Sequence, residues 1–243
     1  GSDSFTYRVS DGTTTSNVAT VSLTISDQTQ PVTLTFRNGV GSYVGTEDTT
    51  LTASTPSTVN GASTLLGVDG SPVEHLLLKF SNIFGVGAGL IPIGATIQSA
   101  TLSFEITDPG DAPNVHRMLA AWNESNTWNS LNTGIQNDGV EAATSPEATF
   151  SGTTGTMMLD VTSALSDWAQ NPATNHGWAF LPTGSNGVDI ASSEVTTITS
   201  RPQLSVTYLF SGTPVNHAPV AVADSANTTR NVPVTISVQA NDS

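Results

Sequence analysis

The sequence predicts an all-β sandwich interrupted by one short helix, and three observations point to it. Short runs alternate apolar and polar residues with period two: Ala100, Leu102, Phe104 and Ile106 stand against Thr101, Ser103 and Glu105, and Leu204, Val206 and Tyr208 repeat the pattern. Such alternation marks half-buried antiparallel strands. Clusters of Gly, Asn, Asp, Ser and Pro separate the runs, as turns do. The composition agrees, with 37% hydrophobic but only 11% charged residues among 243, and Thr, Ser, Asn and Gly in place of the charges.

In chain order, residues 3–26 read as two strands around the turn Ser10-Asp11-Gly12-Thr13, the second alternating through Ala19, Val21, Leu23 and Ile25. Asp27 to Pro31 reads as a linker, because Pro31 discourages a continuous strand. Val32, Leu34 and Phe36 open a central domain over residues 32–210. Within it Leu76, Leu78 and Phe80 share one strand face, with Leu77 and Lys79 on the other. Eight to ten strands fit this span, a number that suits a sandwich. The helix falls over residues 160–169: Val161, Leu165 and Trp168 share a face, Thr162 is the expected N-cap, and Pro172 stops it. Ser211 to Asn216 reads as an exit linker, and Val232, Val234, Ile236 and Val238 alternate in the final segment, 216–243. Each end lacks the middle of a domain, and a lone strand pair is marginal in water.

Composition also bounds the chemistry. The chain has no cysteine, which excludes disulfides, thiol nucleophiles and thiolate metal sites. Carboxylate and carbonyl oxygens are plentiful, so calcium is the metal the chain could use as a staple. The net charge of −14, from 20 acidic and 6 basic residues, argues against nucleic acid and anionic membrane surfaces as partners. No stretch approaches the roughly 20 apolar residues of a membrane span, so no membrane insertion is expected.

Several runs carry a family resemblance. They are Gly41-Ser42-Tyr43-Val44-Gly45-Thr46-Glu47-Asp48-Thr49, Leu77-Leu78-Lys79-Phe80 and Ile93-Gly94-Ala95-Thr96-Ile97-Gln98-Ser99-Ala100-Thr101-Leu102. After these come Trp122-Asn123-Glu124 with Asn126-Thr127-Trp128-Asn129, Leu159-Asp160-Val161-Thr162 before Trp168, Asn175-His176-Gly177-Trp178, Ser192-Ser193-Glu194, and Arg201-Pro202-Gln203-Leu204-Ser205-Val206-Thr207-Tyr208. In this order and spacing residues 32–210 resemble the DNRLRE family, also described as carbohydrate-binding module family 96. The resemblance implies a β-jelly-roll sandwich that accompanies polysaccharide lyases, phosphoesterases and adhesive repeats. The flanks resemble parts of the bacterial cadherin-like or Ig-like tandem repeats of very large surface proteins: residues 1–28 the closing strands of one repeat, residues 216–243 the opening strands of the next. That implies a secreted or cell-surface location.

Candidate binding residues follow from sugar chemistry. Aromatic faces stack on pyranose rings. Trp168 and Trp178 fall on a helix face and a strand and read as core. Trp122 and Trp128 flank the polar run Asn123–Thr127, and one of them is expected to be exposed. Tyr43, on a Gly-rich turn, is a further platform. Lys79 and Arg117 are scarce cations expected to face away from the apolar set. On a common face they would hold an acidic sugar, Arg offering a bidentate fork; the alternative is an ordinary salt bridge to Glu105 or a neighbour. Glu47, Asp48 and Glu194 are the best calcium ligands, since that ion needs six to eight oxygens from more than one loop. Asp108, Asp111 and Asp189 are further turn carboxylates, and Asp11, Asp27, Asp224 and Asp242 sit at the junctions.

No catalytic constellation is expected. The four histidines are scattered, and neither a H-E-x-x-H nor a Gly-x-Ser-x-Gly motif is present. Glu47 and Asp48 are adjacent, so on a strand they face opposite ways and make a poor acid–base pair. The expected function is non-catalytic binding of a polysaccharide, an acidic one included, in an adhesive chain whose multivalency compensates weak single sites. The alternative is a structural spacer or fibre building block without ligand, assembling with other copies of the chain by strand exchange; tryptophans all buried, with no exposed aromatic, would favour it.

Overall fold

The computed structural model describes residues 2–24, 30–210, 225–229 and 234. In chain order the strands are β1 (Ser2–Tyr7), β2 (Ala19–Thr24), β3 (Val32–Arg37), β4 (Thr46–Thr52), β5 (Leu65–Gly70), β6 (Val73–Phe80), β7 (Thr96–Asp108), β8 (Asn114–Arg117), β9 (Ala148–Thr149) and β10 (Gly155–Asp160). Helix α1 (Thr162–Gln170) precedes β11 (Trp178–Leu181), β12 (Val188–Ala191) and β13 (Gln203–Leu209). The fold is all-β with one α-helix, as the alternation requires. Eleven strands lie between Val32 and Leu209, more than the eight to ten expected; β9, of two residues, is too short to show a period.

β1 and β2 form their own two-stranded sheet, in register from Ser2 opposite Thr24 to Tyr7 opposite Ala19. The carboxylate of Asp11 shapes the connecting turn, accepting the backbone N–H groups of Thr13 at 2.8 Å and Thr14 at 2.7 Å, and Gly12 supplies the left-handed residue at φ +88°. The two linkers and the strands expected over 216–243, with Asp27, Asp224 and Asp242, lie outside the described residues, apart from Gln30 and Pro31 and the few positions named above.

The other eleven strands make one antiparallel sheet that curls on itself. One half is β3-β13-β7-β12-β5, with β10 on the far edge of β7; the other is β4-β6-β11-β8-β9. The β5–β6 hairpin carries the sheet from one half to the other. Both halves contribute to one core: Leu102, Phe104, Ile106, Ile190, Leu204 and Val206 meet Leu76, Leu78, Phe80, Val115, Trp178 and Phe180. Phe104 and Phe180 meet edge-on with centroids 5.5 Å apart. Burying each such side chain contributes about 2 kcal/mol.

Helix α1 packs Leu165 and Trp168 into this core, and Trp168 lies 4.9 Å from the ring of Trp178. Its first turn differs from expectation. Thr162 is the first helical residue and not the N-cap; its hydroxyl accepts the N–H of Ala100, and Asp160 Oδ1 accepts both the N–H and the O–H of Thr162. Those two bonds hold the Asp160 carboxyl below its usual range.

A second, smaller core covers the outer face of β4, β6 and β11. Leu51, Leu77, Ala179 and Leu181 are covered there by Met118, Trp122, Ile135 and Ala142, with Trp128 and Leu131 against them. The covering residues belong to the long connection from β8 to β9. The second half of the sandwich is therefore apolar on both faces, which is why β6 runs Leu76-Leu77-Leu78 without a break.

Candidate functional site

Neither Trp122 nor Trp128 is fully exposed. Trp122 is 5% exposed and its indole N–H donates to the His176 carbonyl at 2.7 Å. Trp128 is half-buried against His75, ring centroids 5.0 Å apart. The expectation that one of the two is exposed is thus corrected: apolar positions on the outer face of β6 and β11 draw both rings onto them. Trp168 and Trp178 are core, as read from sequence.

Lys79 and Arg117 do not share a face. Lys79 stands opposite Glu47 in the β4–β6 register, on the outer side with Leu77. Its ammonium pairs with Glu47 at 3.0 Å, donates to the Trp122 carbonyl at 3.1 Å and lies 4.9 Å over the Trp122 ring. Arg117 is in register with Trp178, which is also paired with Leu78, so it projects to the inner side. Its guanidinium pairs with Glu147 at 2.9 Å and Asp167 at 2.6 Å. Both cations are spent on internal carboxylates, neither of them Glu105. The sequence held the clue: Arg117 is two residues from core Val115 and hence on its face.

The three expected calcium ligands divide. Glu47 turns outward to Lys79 and accepts a short hydrogen bond from the Ser81 hydroxyl. Asp48 faces inward opposite Leu78 and is 0% exposed. There the fold brings Glu194 to it. Asp48 Oδ2 accepts the Ser193 N–H at 2.9 Å, and the Ser193 hydroxyl donates to Glu194 Oε1 at 2.7 Å. Asp48 Oδ1 and Glu194 Oε2 are buried and, among the described residues, have no hydrogen-bond partner. Glu124, which sequence reasoning missed, touches the backbone of the same strand: its Oε1 accepts the Asp48 N–H at 3.1 Å. Burial first, and the neighbouring Glu194 second, push the Asp48 carboxyl well above the usual carboxylate range. Glu124 is raised by burial and then by Glu194 and Glu47, against the Asp48 N–H and Lys79, which lower it. All donors in this group are oxygens, which suits a hard cation. Among the described residues, however, no three His, Asp or Glu side chains are already gathered as a metal cage, so a cation would need backbone or water oxygens as well.

Asp108 and Asp189, with Asp69 and Glu74, line an open cleft of about 330 Å³ where β5, β12 and β7 meet. Burial, then Asp108 and Asp69, raise Asp189. Asp111 serves the turn beside it, accepting the Asn186 N–H at 3.0 Å.

Tyr43 borders a different opening, a cleft of about 400 Å³ between β3, the 40–45 turn and the 82–90 loop. Its ring meets Phe36 edge-on and its hydroxyl donates to the Ser81 carbonyl at 3.0 Å. Val44 beside it is 79% exposed. Thr35, Ser42 and Asn82 supply polar groups, and among the described residues the lining carries no charged side chain.

Compared with protein-family models and with curated proteins, the chain matches none.

Proposed function

We propose that the chain is a non-catalytic module of a secreted or cell-surface protein that binds polysaccharide in the cleft beside Tyr43. The observation that carries this reading is the cleft itself: a preformed opening that coincides with an aromatic residue singled out by sugar-stacking chemistry. Its uncharged lining suits a neutral glycan. An acidic one would find no counter-charge there, since Lys79 and Arg117 are already paired with carboxylates elsewhere. Single-site affinity is weak for a shallow cleft, and strength comes from repetition along a modular chain.

The test is affinity electrophoresis through neutral and acidic polysaccharides. Retardation by a neutral glycan is expected, and Val44→Arg abolishes it without changing the melting temperature, because Val44 is exposed. Retardation that survives this variant, or that occurs only with acidic glycans, counts against the cleft.

A second reading, a structural spacer without ligand, is favoured by a specific observation. Among the described residues of the sandwich no aromatic ring is exposed. Absence of retardation by every glycan would leave this reading standing.

A further inference from the structure

The cleft beside Tyr43 is lined by Leu34, Thr35 and Phe36, consecutive residues of β3. Neighbouring side chains of a strand point to opposite faces of the sheet; Phe36 is buried in the core and Thr35 is exposed. One opening touches all of them only by running along the edge of the strand. That edge is unpaired: β3 ends its half of the sheet and, among the described residues, pairs with β13 alone. In an antiparallel pair every second residue turns its N–H and C=O away from its partner, so β3 presents backbone donors and acceptors to the cleft. The other walls, the 40–45 turn and the 82–90 loop, offer backbone as well. Gly41 and Gly89 have no side chain to screen their amides, and space opens beside both. The side chains between are mostly carbon: Val40, Val44 and Leu90 join Leu34 and Phe36, and the Tyr43 hydroxyl is spent on the Ser81 carbonyl. Resting on the glycan reading of this cleft, we infer that its ligand is an N-acetylated amino sugar whose acetamido group lies between the β3 edge and the glycine-bearing walls. A trans amide directs its N–H and its C=O to opposite sides. One meets β3 and the other the facing backbone, as the amide of an inserted strand does. The acetamido methyl fills the apolar lining. A sugar with hydroxyls alone presses polar groups against carbon there, at a cost in desolvation. Only three of the six residues of β3 line the cleft, which suits one compact amide better than an extended peptide.

The test is calorimetric titration of the whole chain with two tetrasaccharides of the same linkage, one of N-acetylglucosamine and one of glucose. They differ only in carrying an acetamido group or a hydroxyl at one carbon of each ring. The N-acetylated sugar is expected to bind about tenfold tighter, the difference made by its hydrogen-bonded amide. Saturation transfer in NMR is expected to be strongest at its acetamido methyls. Val44→Arg, at the exposed rim of the cleft, abolishes both signals and leaves the melting temperature unchanged. Equal affinity for the two sugars, or preference for the glucose one, overturns the inference and leaves the cleft a glycan site. Binding of neither, while another neutral polysaccharide still retards the protein, does the same. With no retardation at all, the glycan reading falls together with the inference. Binding of the N-acetylated sugar that survives Val44→Arg overturns its assignment to the β3 edge. Tighter binding of an uncharged, blocked tetrapeptide than of either sugar overturns it in favour of strand addition.

Discussion

Glu147 and Asp48 are both carboxylates held inside the same sandwich, and the fold treats them in opposite ways. Glu147 Oε1 takes the Arg117 guanidinium at 2.9 Å and the Ala164 N–H of the first turn of α1 at 2.9 Å, while its Oε2 takes the Trp178 indole N–H at 2.8 Å. Asp48 receives one backbone N–H and faces another carboxyl. The first arrangement neutralises and saturates the buried charge, and ties β8, α1 and β11 together. The second leaves a deficit of positive charge, which a proton or a cation must supply. Burial alone therefore says little about what a carboxylate does; its partners decide.

The comparison is broken most severely at Glu147. Glu147→Ala leaves Arg117 with Asp167 and the Ser163 hydroxyl, and the Trp178 indole N–H without its acceptor. A stability loss of about 3–5 kcal/mol is expected, read from urea unfolding, with no dependence on calcium. A loss below about 1 kcal/mol would show that the network around Arg117 is ornamental.

A buried base extends the comparison. His75 Nδ1 accepts the Ile135 N–H at 3.0 Å, and burial lowers its pKa from 6.5 to about 4. The unfolded chain takes up a proton as pH falls through about 6.5, and the folded protein does so only near 4. The contribution is thus fully present above pH 6.5 and is lost between there and 4, about 3 kcal/mol in all. The difference in urea stability between the parent and His75→Gln, followed from pH 7.5 to 4 (both values of the order of the window set by these shifts), isolates it. A flat difference would mean that the imidazole is hydrated in the folded state.

At Asp48 the sign reverses. Asp48→Asn is expected to stabilise by about 1–2 kcal/mol, because the amide can donate to Glu194 while its oxygen keeps the Ser193 N–H. Destabilisation would instead show that the Asp48 charge is already compensated.

How far these features were legible depends on how local their causes are. Strand β7 reads directly, because Ala100, Leu102, Phe104 and Ile106 line one face of one continuous strand. The second core was written in the sequence too, in the unbroken apolar runs Leu76–Leu78 and Trp178–Leu181, yet alternation alone cannot say what covers the second face. The cover comes from Trp122 and Ile135, far along the chain, so one of the two candidate tryptophans was expected to be more exposed than either is. Asp48 and Glu194 were named from their residue types, but their contact spans a sequence separation of 145 between Asp48 and Ser193. Glu124 carried no signal, since its bond to the Asp48 backbone exists only once the long β8–β9 connection has folded against β4. For Lys79 and Arg117 the salt-bridge alternative holds, but the partners Glu47, Glu147 and Asp167 lie on other strands and loops and could not be named from the sequence.

The smallest effect is expected in the open cleft, and it sharpens what burial contributes. Asp189, Asp108, Asp69 and Glu74 crowd four carboxylates together, but water reaches them, so the repulsion is screened. Asp189→Asn removes one charge from that group. Stability should rise by no more than about 0.5 kcal/mol, and the gain should fade in molar salt, where screening extends only a few ångströms. Urea unfolding at low and high ionic strength measures both. A gain above about 1.5 kcal/mol, persisting in salt, would place Asp189 with Asp48 among the uncompensated buried acids. The contrast between solvated and buried carboxylates would then have to be redrawn around the cleft.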